Sequence, residues 1–185
     1  MNKIITKSIK NHLVALESID FDSFEIIIKE ILKGISKGST IFWLGNGGSA
    51  SQASHLSAEL LGGMFQKKIH PFKSICLNND TAFITAWSND DSFENIFERQ
   101  LQALAKENDI AIFLSTSGNS QNLLNAADYS KSHGIQIISL TGNNGGKLKT
   151  KSHFNININS ETTQHIQEMH IFLGHIICEI IEKNI

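Results

Sequence analysis

The stretch from Thr40 to Gly63, TIFWLGNGGSASQASHLSAELLGG, sets an uncharged apolar run, a glycine-rich turn and a helical pattern in immediate succession. Thr40 to Leu44 is β-branched, aromatic and free of charge, the composition of a strand covered on both faces. Such a strand must end at Gly45-Asn46-Gly47-Gly48, because glycine admits positive φ angles and close backbone approach. Ser49 is placed to cap the helix that follows, and Ala50, Ala53, Leu56, Ala58, Leu60 and Leu61 give it helix formers and an apolar side. A ligand lying over the turn would meet bare backbone N–H groups and the positive end of a helix. Taken alone, the turn is equally a plain strand-turn-helix corner. His55 and Glu59, one helical turn apart and so on one face, favour function.

With 185 residues the chain has room for one α/β domain with a sizeable core, so residues 1–185 are read as a single domain. The 41% hydrophobic and 18% charged content is globular, and a formal charge of −2 gives no electrostatic reason to expect nucleic acid or an anionic membrane. Any phosphate would have to be held by local dipoles. Cys76 and Cys178 sit inside apolar runs and fit no zinc or redox spacing, as expected of buried thiols in a reducing compartment. Lysines interrupt every apolar cluster of the N-terminus, and no stretch approaches the ~18 unbroken apolar residues of a membrane span. A cytoplasmic protein is expected.

The rest of the chain alternates. Ile4, Ile5, Ile9, Leu13 and Leu16 predict an amphipathic helix to about Ser18, and Asp20 or Asp22 can cap a second one closing near Gly38. Two helices before the first strand exceed what one sheet needs, which suggests that residues 1–36 form an arm used in oligomerisation. Further strands are expected at Phe72 to Leu77, Ile110 to Leu114, Ile135 to Leu140 and, at an edge, Phe154 to Ile158. Helices are expected over Thr81 to Ala86, Phe93 to Lys106, Leu123 to His133 and Thr162 to Glu182, with Ser88-Asn89-Asp90-Asp91 a polar loop. This is the pattern of a three-layer, doubly wound α/β fold with a mostly parallel five-stranded sheet, whose ligands sit beyond the carboxyl ends of the strands.

A second loop at that end, Ser115-Thr116-Ser117-Gly118-Asn119-Ser120, offers Ser115, Thr116, Ser117 and Ser120 hydroxyls with the amides of a helix start. That is a way to hold an anion without lysine or arginine; a mere helix cap needs one or two such residues, not four. His55 with Glu59 can be a surface pair, two metal ligands, or a general base beside its partner. The last helix carries Gln167, Glu168, His170 and His175; His170 can be simply packed, while a buried His175 would need a hydrogen-bond partner or a metal.

Together these residues resemble the sugar isomerase (SIS) domain family, and within it the phosphoheptose isomerases. The resemblance rests on GNGGS with His55 and Glu59, on Asn89-Asp90, on STSGNS, on LTG-x-x-GG from Leu140 to Gly146, and on IQE-x-H from Ile166 to His170 with His175 beyond. It implies that Asn46, Gly47, Gly48 and Ser49 line the sugar site with Asn89 and Asp90. Ser115, Thr116, Ser117 and Ser120 would hold the phosphate. Glu59 and His175 would be the acid/base pair, with Gln167 also near the substrate. It further implies one Zn2+ per subunit on His55, Glu59, Gln167 and His175, a homotetramer, and a phosphorylated seven-carbon sugar isomerised for surface-polysaccharide precursors. Gln167 and His175 are eight residues apart, about 12 Å along a helix, so they reach one metal only by leaning toward a midpoint. The family commonly has an acidic residue at the position of Gln52 and an arginine at that of His165. Non-catalytic relatives, the DnaA initiator-associating proteins and sugar-phosphate-sensing regulators, are the other class; Glu59 and His175 speak for an enzyme.

Overall fold

In the computed structural model of the chain, which describes residues 1–64 and 71–184, two helices precede the first strand. α1 (Asn2–Glu17) and α2 (Phe21–Ser36) are separated by Asp20, whose carboxylate accepts from the Ser23 amide and caps α2. Among the described residues the strands are β1 (Ile41–Gly45), β2 (Ser74–Cys76), β3 (Ile110–Ser115), β4 (Gln136–Gly142) and β5 (Phe154–Ile158). They lie in the order β2-β1-β3-β4-β5, and all four pairings are parallel. From β1 the chain moves outward to β2 and then crosses back to lay β3 on the other side of β1. That reversal opens a crevice beyond the carboxyl ends of β1 and β3. Gly45 pairs with Leu114 across it, so the GNGGS turn and the STSGNS loop leave the sheet side by side.

Strand alternation builds the three layers. Ile41 and Trp43 of β1, with Ile110, Ile112 and Leu114 of β3, face a core shared with α2, α3 (Gly48–Gly62) and α8 (Thr163–Asn184). Phe42, Leu44, Ala111 and Phe113 point the opposite way, into a core with α5 (Ile96–Leu104) and α6 (Gln121–Ser132). A buried polar chain crosses this core: the Trp43 indole donates to Ser74 Oγ at 3.1 Å, and Ser74 donates to Ser57 Oγ at 3.0 Å, linking β1, β2 and α3.

Some expected boundaries move. The helix after β1 is capped by Gly47, at φ +56°, and not by Ser49, which lies buried in its first turn. Asn89 and Asp90 are not a loop but the last turn of α4 (Thr81–Asp90), in which Ser88 Oγ donates back to the Ile84 carbonyl at 2.6 Å. The Phe93 helix opens as a 3-10 turn over Phe93–Asn95 before α5. A six-residue helix, α7 (Gly146–Lys151), follows β4 where the sequence pattern predicts no element.

The apolar surplus falls on α1. Ile4, Ile5, Ile9, Leu13 and Val14 are each at least 50% exposed, and Ala15 is the buried residue of that helix. The apolar half of α8, by contrast, buries Leu173, Ile177, Cys178 and Ile181 within the chain. Among the described residues, no helix is long and apolar enough to cross a membrane.

Candidate active site

α3 starts at the GNGGS turn and runs against α8, and the two helices approach closely because α8 carries Gly174 where they meet. A Cβ there would come within 2.4 Å of the Leu56 side chain. The next residue on α8 is His175, and one residue before Leu56 on α3 is His55. Their Nε2 atoms are 2.9 Å apart with the rings edge to face, so one imidazole donates to the other. His55 Nε2 also lies 3.6 Å from Glu59 Oε1. Two residues 120 apart in sequence thus meet, one of them beside the carboxylate that local helical spacing had already placed. His175 is half-buried, and its partner is an imidazole.

Gln167 lies two turns nearer the start of α8. Its side chain covers Gly48, where a Cβ would come within 2.6 Å of Nε2, so the amide looks onto the glycine turn. Gln52 holds this turn of α8 in place: its side-chain amide donates to the Gln167 carbonyl at 2.7 Å. Neither contact could be read from sequence, since Gln52 shares no motif with Gln167.

The serine-rich loop is organised from within by only two of its four hydroxyl residues. Ser115 Oγ accepts from the Gly118 amide at 3.1 Å and Ser117 Oγ from the Asn119 amide at 3.2 Å. Ser120 occupies the N-cap position of α6, yet its side chain makes no capping bond. The hydroxyl therefore remains available above the helix start. Gly118, at φ +63°, lets the loop press on the turn after β4: a Cβ would fall 2.0 Å from the Gly145 carbonyl oxygen. The Asn119 side chain accepts from the Lys147 amide at 3.1 Å, and the Leu148 amide donates to the Gly118 carbonyl at 2.9 Å. The LTG-x-x-GG segment and α7 are thus a buttress for the serine loop.

A further residue of the site had no signal in the sequence. Asn122, buried in the first turn of α6, exchanges two amide bonds of 2.9 Å with Asn46 of the glycine turn. This reciprocal pair fixes the spacing of the two loops across the crevice. Asn46 therefore has a partner within the chain, while Gly47 and Gly48 are exposed at the helix start. Asn89 and Asp90 lie at the exposed end of α4, where the Asn89 side-chain amide donates to the Asp90 carboxylate at 2.8 Å.

Behind the site, His170 is fully buried, and its Nε2 donates to the Thr141 carbonyl at 3.1 Å while Nδ1 has no partner. Burial pushes its pKa down to about 4, so it is a neutral packing residue, not an acid or base at neutral pH. Burial likewise pushes the Cys178 thiol up to about 12, with the Glu59 and Glu182 charges adding to it. Both cysteines are free and buried, as their apolar runs predict. Among the described residues, the His/Cys/Asp/Glu group with ligand atoms all within 4.8 Å of one another is His12, His165 and Glu168, on α1 and α8, away from this crevice.

Comparison with known proteins places these features in a wider set. The profile described as SIS domain matches residues 6–142. A protein of Aquifex aeolicus called phosphoheptose isomerase is 43% identical over 153 residues, covering 83% of this chain and 80% of that one. One of the same name from Helicobacter pylori is 37% identical over 188 residues, covering 100% and 97%. The solved structure of a phosphoheptose isomerase from Francisella tularensis superposes with a TM-score of 0.92 at 29% identity, over 99% of this chain and 98% of that one.

Proposed function

Because the chain belongs to the SIS domain family, we propose that it is a phosphoheptose isomerase, interconverting D-sedoheptulose 7-phosphate and D-glycero-D-manno-heptose 7-phosphate. The observation that carries this reading is the meeting of His55, Glu59 and His175 beside two amide- and hydroxyl-lined loops at the strand-order switch. The phosphate belongs at Thr116, Ser117, Ser120 and the amides that open α6, with Ser115 shaping the loop from below. The sugar then extends over Asn46, Gly47, Gly48 and Ser49 toward the two histidines.

Moving the carbonyl from C2 to C1 needs a base for the C1 proton and an acid at the oxygens. Glu59 takes the proton from C1, and the electron pair forms the C1–C2 double bond as charge moves onto O2. His175 gives a proton to O2 and recovers one from O1–H, and protonated Glu59 returns its proton to C2. The balance closes with no external reductant or oxidant. His55, whose Nε2 lies 2.9 Å from His175 Nε2, is the hydrogen-bond partner that orients that ring.

Two facing imidazole nitrogens, with a carboxylate 3.6 Å from one of them, are donor types zinc selects, which supports His55, His175 and Glu59 as holders of the one Zn2+ per subunit that the family resemblance implies; Gln167, the fourth ligand of that resemblance, has its side chain over Gly48 and would have to swing toward them. When bound there, the ion would supply Lewis-acid stabilisation of a developing oxyanion. We further propose a cytoplasmic homotetramer, supported by the exposed apolar face of α1, acting in the supply of heptose for surface polysaccharide.

The test is to incubate purified protein with sedoheptulose 7-phosphate and with shorter ketose phosphates and to follow aldose formation. Aldose from the seven-carbon substrate is expected, in preference to the shorter ones. Folded protein that yields no aldose from any of them would sink the assignment, and preference for a shorter ketose would move the substrate.

A further inference from the structure

A second metal-ligating group lies outside the crevice, where α1 crosses the first turns of α8. Glu168 Oε2 stands 2.7 Å from His12 Nδ1 and 2.8 Å from His165 Nδ1. A carboxylate oxygen only accepts, so each imidazole turns its Nδ1–H toward the same point. The two rings are nearly perpendicular, with centroids 6.3 Å apart, so their nitrogens converge without stacking.

We propose that His12, His165 and Glu168 form a binding site for a divalent transition cation of the zinc type, which staples the N-terminal helix to α8. The ligand atoms already lie within 4.8 Å of one another. In a tetrahedral site with Zn–N and Zn–O bonds of about 2.0–2.1 Å, neighbouring ligand atoms are about 3.3 Å apart. Opening the two present contacts by roughly half an ångström, as the cation replaces the two intervening protons, is within side-chain rotation. His165 is anchored, its side chain 8% exposed, whereas His12 and Glu168 are 43% and 46% exposed. One ligand is therefore preorganised, and the open side admits the ion and leaves room for water as fourth ligand. Two imidazoles exclude calcium and magnesium, which prefer oxygen. The site also has structural work to do: α1 buries only Ala15, so a metal bond to His12 would hold a helix that packing holds weakly.

Zinc bound by protein stripped with chelator and re-equilibrated by dialysis tests this directly. The measurement is made in wild type and in a His55→Ala, His175→Ala background that removes the crevice histidines. The background should retain about one zinc per chain, lose it on further His12→Asn or His165→Asn, and melt at higher temperature with zinc than without. His12→Asn lies on a half-exposed helix position, and circular dichroism checks that it folds. Should the background fail to fold, zinc content of wild type against His12→Asn carries the same comparison. Zinc content and melting temperature indifferent to His12 and His165 would overturn the proposal. The readout is binding, not turnover, so it fails or succeeds independently of the isomerase assignment.

Discussion

At the scale of single residues, the site separates groups that do chemistry from groups that hold them. Glu59 is the base in the proposed mechanism, and its position follows from one helical turn of spacing to His55. Glu59→Gln keeps size and hydrogen bonding while removing the basic oxygen, so kcat should fall by about two to four orders of magnitude with folding unchanged. Steady-state kinetics on that variant decide the point, and near-normal turnover would move the base elsewhere. Residues of this kind were legible in the sequence because their signal is local: a histidine and a glutamate four apart, or four hydroxyls in six positions. Asn122 and Gln52 were not, because an amide becomes informative only once the loop or helix across from it is known. His170 was legible only as a choice between packing and function, which its complete burial settles in favour of packing.

At the scale of elements, the strands could be read because buried parallel strands are unbroken apolar runs, and IFWL and IAIFL have few other ways to be covered. β2 is shorter than the expected Phe72 to Leu77, pairing with β1 over Ser74–Cys76. α7 escaped notice because GKLKTK carries a single buried apolar residue, Leu148, and has no amphipathic period to detect. Yet α7 and the turn before it set the height of the serine loop through Gly118. Gly118→Ala places a methyl where the Gly145 carbonyl oxygen stands, at a φ of +63° that costs an L-residue about 1–2 kcal/mol even in open space. The loop must lift from its buttress, carrying the Ser117 and Ser120 hydroxyls with it. KM for phosphorylated sugar should rise by about tenfold or more, with a smaller change in kcat, since binding and not proton transfer is disturbed. Inorganic phosphate should compete with substrate in the wild type and compete poorly in the variant. An unchanged KM together with unchanged phosphate inhibition would show that this loop does not hold the phosphate.

At the scale of the whole molecule, the sheet order brings two loops together but leaves the N-terminal helix half uncovered. Five apolar side chains of α1 face solvent in one protomer, a larger exposed apolar stripe than a solitary helix of a monomer normally carries. The apolar half of α8 instead buries Leu173, Ile177, Cys178 and Ile181 within the chain, so association should depend on α1 above all. Ile5→Lys with Ile9→Lys should therefore lower the oligomeric state seen by light scattering, with little effect on the fold of the remaining domain. Within an assembly the crevice can be shared: His55 and His175 lie half open to solvent, where a neighbour's serine loop could face them. If it does, a Ser120-defective chain and a His175-defective chain are each poor alone, yet mixing and refolding them creates some sites with both residues intact. Activity should then recover to about a quarter of wild type per site for random pairing of two chain types. A monomer in solution, or no recovery after subunit exchange has been demonstrated by mass, would place the whole catalytic site within one chain.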